Sequence, residues 1–309
     1  MNDVILWSYM RPEMTERALN EISLWRNART VTVVIDGLRL NSNLLEEEWR
    51  RKTISIVENA NLENLELDVY ESNIGLTNHI LRVQRKYLEK YPWAIWVEED
   101  FNLDYESFSK SLKSVKIPST PFLMCGNNQS NHSDQKDNLF TLFPPYWGQV
   151  LNMNLVEEIE KVWSDKKIKP EVAQETFSNL YDLNSFPKKI LFLKQTQYWT
   201  NYFNWGVNSA NRWDAIATYV LWKNHLYTRV TNNNLVKDFS HLDPRSMNVR
   251  HQSQEPQNHI IRTTPIFNNL ICFLCEKRKS RVAFSTAELL HKSYNYRVND
   301  KLKRLNPHV

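Results

Sequence analysis

The chain has 309 residues, of which 41% are hydrophobic and 24% charged, and its formal net charge is +4. That is enough length for one large α/β domain or two modest ones, and too weak a positive charge to mark a nucleic-acid binder. The three cysteines, Cys125, Cys272 and Cys275, are too few and of the wrong parity for a disulfide framework, and they fit a reducing compartment.

The first hundred residues alternate strand and helix signals. Val4-Ile5-Leu6-Trp7 reads as a buried strand, and Pro12 suits the first turn of a helix that carries Met14, Ala18, Ile22 and Trp25 at helical spacing. Thr32 to Ile35 is a second apolar strand, stopped by Asp36-Gly37. A helix is predicted from about Leu44 to Asn59, with Glu46, Glu47 and Glu48 in its first turn. Leu65 to Tyr70 alternates like a strand, and Ile80, Val83, Tyr87 and Tyr91 mark one helical face. Trp93 to Val97 is a fourth strand, which runs into Glu98-Glu99-Asp100. This order predicts a mostly parallel sheet with helices on both faces, because parallel strands need crossovers of that length.

Beyond residue 104 the alternation weakens. A short helix is expected over Tyr105 to Leu112, a strand at Phe122 to Cys125, a loop over Asn127 to Asn138 and a helix from about Leu155 to Trp163. Residues 165–200 carry no clean pattern. Trp213 to Trp222 reads as an aromatic-rich helix, and 231–258 reads as loop. From Glu276 to Val309 there are nine Lys or Arg against three Asp or Glu, which describes a solvated basic face or a surface for anionic lipid or glycan.

Several absences narrow the chemistry. The five glycines, Gly37, Gly75, Gly126, Gly148 and Gly206, write neither GxG nor GxxxxGK, so the dinucleotide fingerprint and the P-loop are excluded. Any bound nucleotide must be held by charged side chains and a metal. Cys272 and Cys275 form a lone CxxC with no second ligand pair, which reads as structural cysteine rather than a zinc site. Charged residues interrupt the first apolar stretch and no apolar run reaches the ~18 residues of a membrane span, so neither a signal peptide nor a transmembrane helix is expected.

The chemistry is predicted where strand ends converge. In open parallel sheets ligands gather beyond the carboxyl ends of the strands, and three such ends carry polar groups: Ser8 to Arg11, Asp36-Gly37 and Glu98 to Asp100. Three consecutive carboxylates after an apolar strand repel one another unless a cation or donor hydrogens compensate. A hard divalent cation prefers such oxygens and keeps positions open for diphosphate. A solvated acidic turn is the plain alternative.

The segment Tyr91-Pro92-Trp93-Ala94-Ile95-Trp96-Val97-Glu98-Glu99-Asp100-Phe101 resembles the "YP…VVVEDDL" segment of the N-acetylglucosaminyltransferase I family. Those are GT-A enzymes that use UDP-N-acetylglucosamine and manganese and invert the anomeric carbon. The resemblance implies Asp100 as metal ligand, Glu98 facing the donor sugar and Glu99 near the ribose. Asp104 to Phe108 resembles the family's next helix start. Ser8-Tyr9-Met10-Arg11-Pro12 is similar to its "CDR" turn, which puts Tyr9 at the donor and Arg11 on phosphate, with Met10 where the family has Asp. Ile35-Asp36-Gly37 resembles "SQDCG", which implies that Asp36 accepts from uracil N3–H; capping a turn explains Asp36 equally well.

Asn73 to Asn78 corresponds to a segment that lies over the nucleotide in many GT-A enzymes, which makes Thr77 and Asn78 candidates beside a helix-capping role. Leu142 to Gln149 is similar to "FFPGLGW", and Trp147 there either stacks on a sugar or packs in the core. Trp213-Asp214 resembles the start of "WDDW", whose second Asp is the catalytic base; here Ala215 follows, so Asp214 is carried as the candidate base. His241, in a polar loop, stands for the late His that GT-A enzymes often place near the diphosphate. The resemblance covers roughly residues 3–40 and 70–165, and more weakly 211–243.

The expectation is therefore an α/β, GT-A-type (Rossmann-like) fold. A catalytic domain over 1–250 divides into a nucleotide-binding half, 1–104, and an acceptor-binding half, 105–250. A basic, mostly helical or loop extension follows over 251–309. The expected function is metal-dependent transfer, by inversion, from a UDP-sugar to a glycan or lipid-linked acceptor with Mn2+ or Mg2+. The expected place is the cytoplasm, with peripheral contact at the inner membrane face through the basic end. A nucleotidyltransferase of similar topology and a non-catalytic sugar-binding protein are the competing readings. The first lacks its Gly-rich loop after strand one, and the second has no need of three carboxylates at a strand end.

Overall fold

The computed structural model describes residues 2–25, 28–127, 139–142, 144, 146–181, 183–208, 212–231 and 233–240. The elements of the first half fall where the alternation places them. They are β1 (Asn2–Ser8), α1 (Pro12–Ile22), β2 (Ala28–Ile35), α2 (Leu44–Glu58), β3 (Leu65–Val69), α3 (Leu76–Lys90) and β4 (Ala94–Glu98). Then come β5 (Phe101–Leu103), α4 (Tyr105–Lys113), β6 (Leu123–Cys125), β7 (Leu139–Thr141), β8 (Gln149–Leu151) and α5 (Met153–Asp165). The chain continues through α6 (Glu171–Leu180), α7 (Phe186–Asn208), α8 (Trp213–Lys223), β9 (Thr228–Val230) and β10 (Val236–Asp238).

Eight strands form one sheet in the order β3-β2-β1-β4-β8-β6-β9-β7. Strand β8 runs antiparallel to both its neighbours and β7 antiparallel to β9, so the other six strands point the same way. The α/β class with a mostly parallel, helix-flanked sheet is thus the architecture the strand–helix alternation predicts. The order reverses between β1 and β4: the chain first builds outward through β2 and β3, then returns to the other side of β1.

Side chains alternate across this sheet. Val4, Leu6, Ile95 and Val97 enter one core with Leu19, Ile22, Val57, Phe108 and Leu112, under α1, α2 and α4. Ile5, Ala94 and Trp96 enter the other with Val83, Tyr87, Ile159, Phe177, Phe203 and Trp222, under α3, α5, α6, α7 and α8. Local chemistry sets the helix starts. Pro12 opens α1, Asn43 and Glu46 make a reciprocal capping box on α2, and Asn152 caps α5.

Two stretches differ from the sequence reading. Residues 165–200 hold α6 and most of α7, and β10 lies inside 231–258, pairing antiparallel with β5. Helix α7 escapes a periodicity reading because its two faces are mixed: Leu193 and Trp205 stand exposed among Lys194, Gln197, Asn201 and Asn204, and Gln195 is buried on the other side. Strand β10 is three residues long, too short to show alternation. The loop expected over 127–138 lies, from residue 128 on, outside the described residues, as does the basic extension over 251–309.

Gly37 follows β2 where Leu38 bridges to Ser72, and a Cβ on it would fall 2.1 Å from the Ser72 carbonyl carbon. A main-chain atom cannot yield as a side chain can. Gly37→Ala is therefore expected to cost about 1–3 kcal/mol of stability, read as a lowered urea midpoint with an unchanged m-value.

Candidate active site

The reversal of strand order between β1 and β4 opens a crevice beyond their carboxyl ends, the place where an open α/β sheet binds ligands. Trp7 pairs with Glu98 across the two strands, and the Glu99 N–H donates to the Trp7 carbonyl at 3.2 Å. This register sets the turn after β1 directly against Glu98-Glu99-Asp100.

Arg11 occupies that turn. Its Nε donates to Glu99 Oε1 at 2.8 Å and its Nη1 to Asp100 Oδ2 at 2.9 Å. The Tyr9 N–H is a second donor to Glu99 Oε1, at 3.3 Å. Arg11 is aimed this way because it is the N-cap of α1: its carbonyl accepts from the N–H and hydroxyl of Thr15, and that hydroxyl lies 2.6 Å from Ser8 Oγ. On the far side the Phe239 N–H donates to the Asp100 carbonyl at 2.8 Å, so the chain beyond β10 returns to the same turn.

The cluster carries more negative charge than this one guanidinium balances. Burial pushes Glu98 up to about 8, and the charges of Asp100 and Glu99 push the same way. Burial also raises Glu99, against the pull of Arg11. Burial alone would lower Arg11, but Glu99 and Asp100 outweigh it and hold its pKa above the usual value. Asp100 Oδ1 and the whole Glu98 carboxyl make no hydrogen bond or ion pair with described residues. Asp214 lies near enough for its charge to raise Glu98 further.

No group of three or more His, Cys, Asp or Glu side chains is arranged as a metal site among the described residues. Even so, the uncommitted oxygens of Asp100 and Glu98 are hard donors under an excess of negative charge. They fit a divalent cation that takes most of its ligands from phosphate and water.

Asp36 ends β2 in a different setting. It accepts from the Gly37 N–H at 2.7 Å and from Asn73 Nδ2 at 2.8 Å, and His79 Nδ1 lies 3.3 Å from its Oδ1. Burial pushes Asp36 up and His79 down, and the attraction between them opposes both shifts. His79 is held between Trp7 and Tyr70, edge-on to both rings. Asp36 therefore ties β2 to the start of α3. Asn78 spends both ends of its amide inside the protein, donating to the Ile74 carbonyl and accepting from Trp163 Nε1. Trp147 is partly buried against the core under α1, α2 and α4. His241 lies outside the described residues.

Asp214, in the first turn of α8, accepts from the Tyr202 hydroxyl at 3.0 Å and sits 3.4 Å from Arg212 Nη1, both on Oδ2. Tyr146 donates to the Asp214 carbonyl at 2.5 Å and contacts the Thr218 hydroxyl, which ties the loop before β8 to α8. The sequence reading passes over Tyr146, Tyr202 and Arg212. Tyr146 stands beside Trp147 in the loop that was singled out, which is the one signal available. Tyr202 lies in α7 and had none.

No family model matches the chain, and no curated protein matches it in sequence. Solved structures do match. The apo structure of the bifunctional glycosyltransferase WbbM aligns at TM-score 0.31 and 12% identity, over 52% of this chain and 34% of that one. The apo form of mouse xyloside xylosyltransferase 1 aligns at 0.35 and 10%, over 74% and 85%. The mannosyltransferase PcManGT from Pyrobaculum calidifontis, in complex with GDP-Man and Mn2+, aligns at 0.38 and 11%, over 99% and 87%. None of the three is described as an N-acetylglucosaminyltransferase. At these scores the likenesses carry no argument about substrate, and the fold class rests on the strand order itself.

Removing one partner from a buried ion pair leaves the other charges uncompensated. Arg11→Ala is expected to cost about 3–5 kcal/mol, and Arg11→Lys less, because a point-charge ammonium serves one carboxylate where the planar fork serves two. Urea denaturation of the three proteins measures the order.

Proposed function

We propose that this chain is a glycosyltransferase that moves a sugar from a nucleotide-sugar donor to a hydroxyl of a glycan or lipid-linked acceptor. The observation that carries the proposal is the position of the Arg11–Glu99–Asp100 cluster at the strand-order reversal, with Asp214 brought to its edge. Sheet geometry makes that crevice a ligand site, and an acidic cluster with uncommitted oxygens suits a metal–diphosphate rather than a bare anion. The resemblance of Tyr91 to Phe101 to the N-acetylglucosaminyltransferase I family supports UDP as the nucleotide and inversion as the outcome; N-acetylglucosamine is the first sugar to try.

Asp100, with Glu98 beside it, would hold Mn2+ or Mg2+, which when bound supplies Lewis-acid neutralisation of the departing diphosphate. The chain's own residues do the rest. Arg11 keeps Glu99 and Asp100 in one geometry and lies within the same crevice as the phosphates. Tyr9, Asp36 and Trp147 flank the donor on the remaining strand ends and loop, with Asn78 at the start of α3, and His241 follows the segment hydrogen-bonded to Asp100. Asp214 takes the proton of the acceptor hydroxyl as its oxygen bonds to the anomeric carbon and the bond to the diphosphate breaks, with the electron pair leaving on the diphosphate.

No helix among the described residues is long and apolar enough to cross a membrane. Contact with an anionic membrane surface is assigned to the basic stretch after residue 276.

Calorimetric titration of UDP with Mn2+, repeated in EDTA and with Asp100→Asn, tests the proposal. Binding that needs the metal and is lost in the variant is expected. A folded protein that binds neither UDP nor another nucleoside diphosphate in any condition overturns it in favour of a non-catalytic sugar-binding role. A protein that binds nucleoside triphosphate but not diphosphate points to nucleotidyl transfer.

A further inference from the structure

Helix α7 contributes an unusual surface to the edge of the site. Three of its aromatic residues, Phe192, Trp199 and Phe203, are buried, and Phe203 packs on Tyr219 and Trp222 of α8. Trp205 is different, with 48% of its surface exposed. An exposed indole is a costly thing to leave in water, and this one is not isolated. The Arg212 guanidinium lies 4.3 Å from its ring centroid and 5.8 Å from that of Tyr202. Arg212 also lies beside Asp214, which the Tyr202 hydroxyl holds at 3.0 Å.

The helices reach this proximity because of Gly206. A Cβ there would sit 2.5 Å from the Ala215 Cβ, so any larger residue would push α7 away from the start of α8. Tyr202 and Arg212 are thereby fixed on one carboxylate, with the Trp205 ring beside both. Tyr202 is itself braced, stacked against Tyr198 and edge-on to Trp199.

From this arrangement we infer that α7 and the start of α8 form a subsite for a neutral acceptor sugar, in which Trp205 is the stacking platform, Arg212 the hydrogen-bonding fork and Tyr202 the positioning residue for Asp214. The inference rests on the reading of Asp214 as the base. A sugar ring presents a face of polarised C–H groups that packs on the electron-rich face of an indole, and its hydroxyls accept from a planar guanidinium. The Arg212 charge is already shared with Asp214, and Glu98, Glu99 and Asp100 lie beyond, so the field at this edge opposes an anionic sugar. With Tyr202 and Arg212 both on Oδ2, no described residue bonds the other carboxylate oxygen, and that oxygen meets the attacking hydroxyl.

The test uses saturation-transfer NMR on the full chain with millimolar methyl glycosides of glucose, galactose, mannose and N-acetylglucosamine, and with methyl glucuronide. At least one neutral glycoside is expected to bind. Trp205→Ala should weaken it about tenfold and Trp205→Phe by less. Because Trp205 is half exposed, both variants are expected to keep the parent's thermal midpoint. If no neutral glycoside binds, if the glucuronide binds better, or if Trp205→Ala binds like the parent, the inference is overturned.

The link to transfer is tested on the glycoside that binds, as acceptor, by UDP release from UDP-sugars. Tyr202→Phe should lower kcat about tenfold at unchanged glycoside KM; a raised KM at unchanged kcat would make Tyr202 a packing residue and overturn its assignment. UDP calorimetry separates the two readings. A protein that binds glycoside through Trp205 but no nucleoside diphosphate has a sugar site and no donor site, which removes the acceptor assignment together with the proposed activity. One that binds UDP with metal but no neutral glycoside keeps the activity and loses this subsite.

Discussion

Three carboxylates in sequence at the end of an apolar strand are a problem the rest of the fold is arranged to solve. Glu98, Glu99 and Asp100 repel one another and sit where water is scarce. One guanidinium, delivered by the first turn of α1, bridges two of them. The parallel pairing of β1 with β4 brings Arg11 there, and the reversal of strand order makes the spot a crevice rather than a packed interior. Interchange β1 and β2 in the sheet and the arginine would face the wrong strand.

The balance is deliberately incomplete in its chemistry. One oxygen of Asp100 and all of Glu98 remain without a protein partner among the described residues, and buried charge without compensation is expensive. Asp36 offers the contrast. Its carboxylate accepts from Gly37 and Asn73 and lies 3.3 Å from His79 Nδ1, which links β2 to the start of α3. Two acidic strand ends that look alike in sequence are thus distinguished by their hydrogen-bond partners.

Much of the first half was legible in the sequence for a simple reason. Strands such as Val4 to Trp7 and Thr32 to Ile35 are continuous apolar runs, helices such as α1 and α3 have one apolar face, and Pro12 and Gly75 punctuate them. The acidic triplet was legible because charge after an apolar run stands out. What it could not reveal was its counter-ion, since Arg11 and Glu99 are 88 residues apart. The second half resisted for opposite reasons. Helix α7 mixes its faces, with Leu193 and Trp205 exposed among polar residues and Gln195 buried, and β7, β8, β9 and β10 are three residues each. Periodicity needs length and a clean division of apolar from polar positions, and these elements lack one or the other. Tyr146, Tyr202 and Arg212 meet Asp214 only through tertiary packing.

The bond from the Phe239 N–H to the Asp100 carbonyl joins two main chains, with no side chain involved in it. The β5–β10 ladder beside it is likewise written in backbone groups. The turn that presents Asp100 is therefore held by main-chain bonds as well as by the buried side chains of Phe101, Leu103 and Val236. A site framed in this way is defined by the path of the backbone as much as by the identity of its residues.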